Sequence, residues 1–370
     1  MRDTDPTPSP APSLDLGSWL RLAAVPGVGR ITAAQLLRHF GSPAAIFSAA
    51  IDQLLQHVTP AQASALCAPA SSETARLLDT TLAWLEQPGN RILSLLDPAY
   101  PPLLAEIPDP PLLLYIRGRH ALLQGAALAI VGSRNASVQG QANARAFAAA
   151  LSAAGITIVS GLALGIDTAA HEGALRGCGS TAAIIGTGAD RIYPARNAAL
   201  ARRIAEEGCM VSEYPLATPP RPEHFPQRNR IISGLTAGVL VIEAAAGSGS
   251  LITARMANEQ GRDVFALPGS IHATLSKGCH QLIRDGAQLV ETSDEVLLAL
   301  SMAPLVRTMQ PTPAPVSPLL ALLGHEAIHI DTILSQGALS ASALSAELLE
   351  LELAGIVARL PGGMLQRVHR

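Results

Sequence analysis

The stretch ALAIVGSRNASVQGQANARAFAAALSAAGITIVSG, residues 127–161, decides the fold. A near-continuous apolar run ends at Gly132, an alanine-rich helical stretch follows, and a second run, ITIVSG, completes the unit. Short strands that are apolar on both faces and joined through a helix predict a parallel sheet covered on both sides. The same alternation continues through TAAIIGTG (181–188), CMVSEY (209–214), GVLVIEA (238–244), DVFALPG (263–269) and AQLVE (287–291). Residues 91–302 are therefore expected to form an α/β, extended Rossmann-type, doubly wound parallel sheet.

Other patterns flank this core. Residues 1–13 form a polar, Pro-rich tail, expected to be disordered, and 14–90 read as helices, with the turn VPGVG at 25–29. A Pro-rich connector at 303–318 precedes a small unit, 319–370, that reads as three helices and a hairpin, IVARL-PGG-MLQRV. That order is winged-helix organisation.

Composition narrows the class. No apolar run is long enough to span a bilayer, and the four cysteines show no metal-ligand or redox spacing, so a cytoplasmic chain without a membrane segment, disulfide or metal is expected. The net charge is −3, and Lys277 is the only lysine among 26 basic residues. An acidic chain is not a general electrostatic binder of nucleic acid, so any such role needs a local patch.

The candidate patch lies in the loops at the strand ends, where parallel sheets place ligands. Gly132-Ser133-Arg134 combines a permissive turn, a hydroxyl and a guanidinium. Gly247-Ser248-Gly249-Ser250 opens a helix with small residues and free N–H groups, but lacks the lysine of a nucleotide-hydrolysing P-loop. Between them lies RPEHFPQRNRIISGL (221–235). Pro222 and Pro226 are expected to hold this segment extended, Phe225 offers a stacking surface, and Arg228, Asn229 and Arg230 offer donors. Asp167 and His171, four residues apart on one helix face, read as a structural cap and hydrogen-bonded pair.

Taken together, Gly132-Ser133-Arg134, SGLALGIDTAAHEGAL, SEYPLATPPRPEHFPQRNRIISGL, VIEAAAGSGSLITARMANEQGRDVFALPGS and KGCHQLIRDGA resemble the DNA-processing protein A family, DprA or Smf. The resemblance is dense over about 100–300 and looser in the flanks. It implies a homodimer that binds single-stranded DNA and loads the RecA recombinase onto it during natural transformation. It also implies a DNA pocket formed by Gly132, Ser133, Arg134, Phe225, Arg228, Asn229 and Arg230, closed by Ser248, Gly249 and Ser250. It implies no catalytic residue, cofactor or metal. His280 stands where the family usually carries Asn, which puts one local contact in question.

The flanking units read differently. VPGVG resembles the turn of a helix-hairpin-helix, or of a SAM-like helical domain, with Arg21, Arg30 and Arg38 nearby; a docking module is expected. The winged-helix unit has no Arg or Lys before Arg359 in its longest helix, so a protein partner is expected rather than duplex DNA. The alternative function is a phosphoribohydrolase-like enzyme on the same fold, which would need a carboxylate at these strand ends, with Asp167, Glu213 and Glu243 as the candidates.

Overall fold

The computed structural model describes residues 15–301, 318–323, 327–335 and 341–368. The tail and nearly all of the Pro-rich connector lie outside the described residues.

Nine strands form one sheet. They are β1 (Asn90–Ser94), β2 (Leu113–Gly118), β3 (Ala127–Val131), β4 (Thr157–Ser160), β5 (Thr181–Ile184), β6 (Cys209–Ser212), β7 (Gly238–Val241), β8 (Asp263–Ala266) and β9 (Gln288–Leu289). Their spatial order is β1-β2-β6-β5-β4-β3-β7-β8-β9. β3 to β9 are mutually parallel, whereas β1 and β2 pair antiparallel with each other, and β2 is antiparallel to β6. The expected all-parallel sheet thus gains an antiparallel strand pair at one edge, and the last strand shrinks to two residues.

The apolar strands read as two-sided because they are. Val159, Ile184 and Val211 face one core, and their chain neighbours Ile158, Ala183 and Met210 face the other side. Helices Val138–Ala153 and Ile166–Ala174 cover one face; helices His224–Gly234 and Ser250–Glu259 cover the opposite one.

The six N-terminal helices do not form a separate core. Leu16, Trp19, Leu22, Val25 and Val28 share one apolar cluster with Ile92, Leu113, Tyr115 and Leu216. Side-chain oxygens of Asp15, Ser42, Thr59 and Ser71 cap four of these helices, and Gly41 ends the second in the left-handed region. Trp84 meets Tyr115 edge-on at 6.0 Å, a contact worth about 0.5–1.5 kcal/mol beyond its area. The turn at 25–29 is therefore pressed against the sheet edge. Of its nearby arginines, Arg21 donates to Leu66 and Ala68 carbonyls at 3.1 and 2.7 Å, and Arg30 is ion-paired to the core. Arg38 alone is left exposed.

The C-terminal unit has helices Pro318–Leu322, Ile330–Ser335 and Ala341–Leu353, then strands β11 (Val357–Leu360) and β12 (Met364–Arg367). A short strand, β10 (Ile328–His329), also pairs with β12, giving a three-stranded wing that the sequence reading reduced to a hairpin. Arg359 is ion-paired to Glu352 at 2.8 Å.

Candidate nucleic-acid interface

Counting outward from β3, the chain runs β4, β5, β6 in one direction and β7, β8, β9 in the other. The crevice beyond the carboxyl ends of β3 and β7 is thus the topological switch point, where open α/β sheets bind ligands. A cleft of about 630 Å³ lies there. It is lined by Gly132, Ser133, Arg134, Phe225, Arg228, Asn229, Ser248, Gly249 and Ser250, together with Asn135, Asp167 and Thr253. Nine of the ten residues singled out from the sequence come together in this cleft.

Arg230 does not join them. The segment FPQRNR is not an extended loop but lies within the helix His224–Gly234. Pro226 sits in its first turn, where a missing N–H leaves no hydrogen bond unmade. At 3.6 residues per turn, Arg228 and Arg230 lie about 200° apart around the axis. Arg230 points away from the cleft and forks onto Glu213 at 2.8 and 2.6 Å, with its Nε on Asp109 at 2.7 Å. Arg30 adds a contact of 3.2 Å to Glu213, so this network fastens the N-terminal helices to the core. Burial works against the Arg230 charge, but Glu213 and Asp109 outweigh it and raise its pKa.

Arg228 lines the cleft from beneath. It is 5% exposed and donates to the carbonyls of Gly161, at 2.6 Å, and Ile184. A Cβ at Gly161 would collide with this guanidinium, which explains the glycine there. Burial, with the nearby charge of Arg134, lowers its pKa to about 10, while Asp167 opposes the shift. Its Nε donates to Asn229 Oδ1 at 3.0 Å. That bond leaves the Asn229 amide NH₂ as the donor available to a ligand. Arg134, by contrast, is exposed and has no ion pair among the described residues.

Two helix N-termini meet at the switch point, and they differ. At the start of Val138–Ala153, Ser137 caps Gly140, and the Glu243 carboxylate accepts from Ser137 N at 2.9 Å and Ser137 Oγ at 2.5 Å. The protein's own carboxylate fills the place where a dinucleotide fold binds pyrophosphate. At the helix Ser250–Glu259 the expected free N–H groups are engaged locally: Ser250 N donates to Ser248 Oγ at 3.4 Å, and Leu251 N and Ile252 N donate to the Ser248 and Gly249 carbonyls, each at 3.1 Å, while Ser248 Oγ lies 2.8 Å from Ser250 Oγ at the edge of the cleft. The positive end of this helix, with its two hydroxyls, and Arg134 are the anion-attracting groups.

Asp167 and His171 are both buried, but they do not bond to each other. Asp167 accepts from Gly161 N at 3.0 Å and Ala163 N at 3.3 Å; burial raises its pKa against the pull of Arg228 and these N–H groups. His171 Nε2 accepts from Leu162 N at 3.3 Å, so its Nδ1–H donates to Thr181 Oγ1 at 2.7 Å. Burial, then Arg228, pushes its pKa down to about 3. Together they pin loop 161–165, where Gly165, at φ +77°, lets the chain pass against the Ser133 and Arg134 carbonyls. Asp167, Glu213 and Glu243, the candidates for the enzymatic alternative, are each engaged in holding structure.

Phe225 is half-buried over Gly186, and its ring lies 5.3 Å from that of Tyr193. His224 anchors the start of this helix, with Nδ1 donating to Gly186 O at 3.0 Å and its ring stacked on Tyr214 at 4.0 Å. His280, on the helix Lys277–Arg284, reaches Gly269 O at 2.9 Å.

Known proteins are similar to this chain in sequence and fold. The profile of the DNA recombination-mediator protein A family matches residues 91–301, and that of the DprA winged helix domain matches 303–363. Protein Smf of Escherichia coli is 43% identical over 301 residues, covering 78% of this chain and 80% of that protein. The solved DNA processing protein A of Streptococcus pneumoniae superposes with a TM-score of 0.65 at 38% identity, covering 76% of this chain and 96% of that one. A Helicobacter pylori structure, described as the single-stranded DNA binding mode of DNA processing protein A, gives 0.51 at 32%, covering 54% of this chain and 92% of that one. With a matching core profile, a matching winged-helix profile and relatives similar over most of both chains, this protein belongs to the DNA recombination-mediator protein A family, DprA/Smf.

Proposed function

We propose that the switch-point cleft grips a few nucleotides of single-stranded DNA, and that the protein presents this strand to the RecA recombinase. The observation that carries the reading is the pairing of the exposed, unpaired Arg134 with the Ser248 and Ser250 hydroxyls at the positive end of the helix Ser250–Glu259. Backbone phosphate is the anion that suits both, while the Asn229 amide and Phe225 offer a donor and an aromatic surface to a base. The cleft attracts by local groups, because the core is neutral: 17 basic and 17 acidic residues lie between 91 and 300. The chain acts as a binder and mediator, and not by turning over a nucleotide.

Homodimerisation and the transfer to RecA belong to the same proposal, as does a protein-docking role for the winged-helix unit. The test is a salt titration of single-strand affinity. Each phosphate contact contributes a log–log slope of about −0.7, and Arg134→Ala is expected to reduce that slope by about one contact. An unchanged slope and affinity would rule the cleft out. For the second half, wild-type protein is expected to let RecA assemble on strands coated with single-strand-binding protein, and Arg134→Ala to slow this.

A further inference from the structure

The loop after β5, residues 185–197, gathers aromatic and cationic groups that the switch-point cleft does not use. β5 lies two strands from β3, roughly 10 Å across the same carboxyl edge. Tyr193 projects from this loop with 47% of its surface exposed, and its ring is tilted 36° against that of Phe225. Phe225 is also a wall of the cleft, so the two rings form a continuous path out of it.

The charges around the rings point the same way. Arg191, Arg196 and Arg221 are exposed and make no ion pair among the described residues. The acidic groups of the same segments are Asp190 and Glu223. Both are exposed, but the Asp190 carboxylate is engaged, accepting from Ala217 N at 2.9 and 3.0 Å. Three free guanidinium groups interleaved with two aromatic rings are the composition of a single-strand groove.

We propose that Tyr193, with Arg191 and Arg196, forms a second nucleotide subsite, onto which the strand passes from the cleft across Phe225. The inference rests on the cleft being the primary site. A base stacks on the Tyr193 face, and the flanking arginines hold the phosphates on either side. Sequence tolerance follows, because every base has a face to stack.

Affinity is to be measured for thymidylate strands of roughly four and roughly twelve nucleotides. Tyr193→Ala is expected to weaken the longer strand about tenfold, the size of one lost stack, and to leave the shorter one unchanged. Tyr193→Phe keeps the stack and should bind both as wild type does. Arg191→Ala and Arg196→Ala should each cut the salt slope of the longer strand by about 0.7. Unchanged affinity of Tyr193→Ala for the longer strand, or equal losses on both lengths, overturns the subsite. Arg134→Ala separates the two readings: weakening at both lengths keeps the cleft whatever Tyr193 does, and no weakening at either length removes cleft and subsite together. Photocrosslinking of a halogenated-base strand to unmodified protein gives a readout independent of variant folding. A crosslink in the peptide carrying Tyr193 supports the subsite, and crosslinks confined to the Phe225 peptide count against it.

Discussion

The helix His224–Gly234 supplies two regions of the molecule with arginines two positions apart. Arg228 lies under the floor of the switch-point cleft, bonded to the carbonyls that end two strands. Arg230 closes the seam between the N-terminal helices and the core, between Glu213 and Asp109. Neither guanidinium is free, yet the cleft remains cationic because Arg134 is exposed above Arg228. An arginine's presence in a binding motif therefore does not make it a ligand contact. Its burial and its prior partners decide that.

The strongest way to break this contrast is to remove Arg230. Arg230→Ala leaves Glu213, whose side chain is 5% exposed, with Arg30 alone, and a loss of about 3–5 kcal/mol in denaturant unfolding is expected. A loss below about 1 kcal/mol would mean that the seam is not a structural joint. Adding Glu213→Gln should recover part of the loss, because the unpaired buried charge is then gone.

Arg228→Ala comes next. It strips partners from buried carbonyls and removes the positive charge facing Asp167, for an expected cost of about 3 kcal/mol in the same measurement. Weakened DNA binding by this variant is informative only in its folded fraction.

His171 sharpens the contrast through pH. Its pKa is near 3 in the fold, against an ordinary value of 6.5. Between those values the unfolded chain takes up a proton that the folded chain refuses, so stability falls on acidification, by about 2 kcal/mol at pH 5. The difference between wild type and His171→Gln, followed from pH 7 to pH 4, should show this loss. Asp167, with its raised pKa, acts with the opposite sign in both proteins and largely cancels in the difference.

Arg134→Ala should have the smallest effect on stability, within about 0.5 kcal/mol, because its side chain is exposed. It should nevertheless alter the salt dependence of binding most clearly. A large stability loss here would erase the distinction between the exposed arginine and the two buried ones.

Much of this was legible in the chain. Two-sided apolar strands ending in Gly-Ser turns carry their own evidence for a parallel sheet and for the loops at its carboxyl edge. The antiparallel pair β1–β2 was not, because ILSLL and LLLYI are separated by the Pro-rich stretch 97–111, too long to be read as a hairpin turn. Nothing local singles out Tyr193 either, since no short-range pattern says that a residue 32 positions before Phe225 touches its ring.

The sequence by itself determined the strand–helix alternation, the family and the residues that gather at the switch point, because these follow from short-range periodicity and from motif order. Only the tertiary structure decided which arginines remain available. Extended, residues 228 and 230 would share a face at period 2; helical, they fall on opposite sides. One meets carbonyls and the other meets carboxylates that arrive from distant parts of the chain. Burial and partnership are long-range properties, and they leave Arg134 as the cleft's accessible charge.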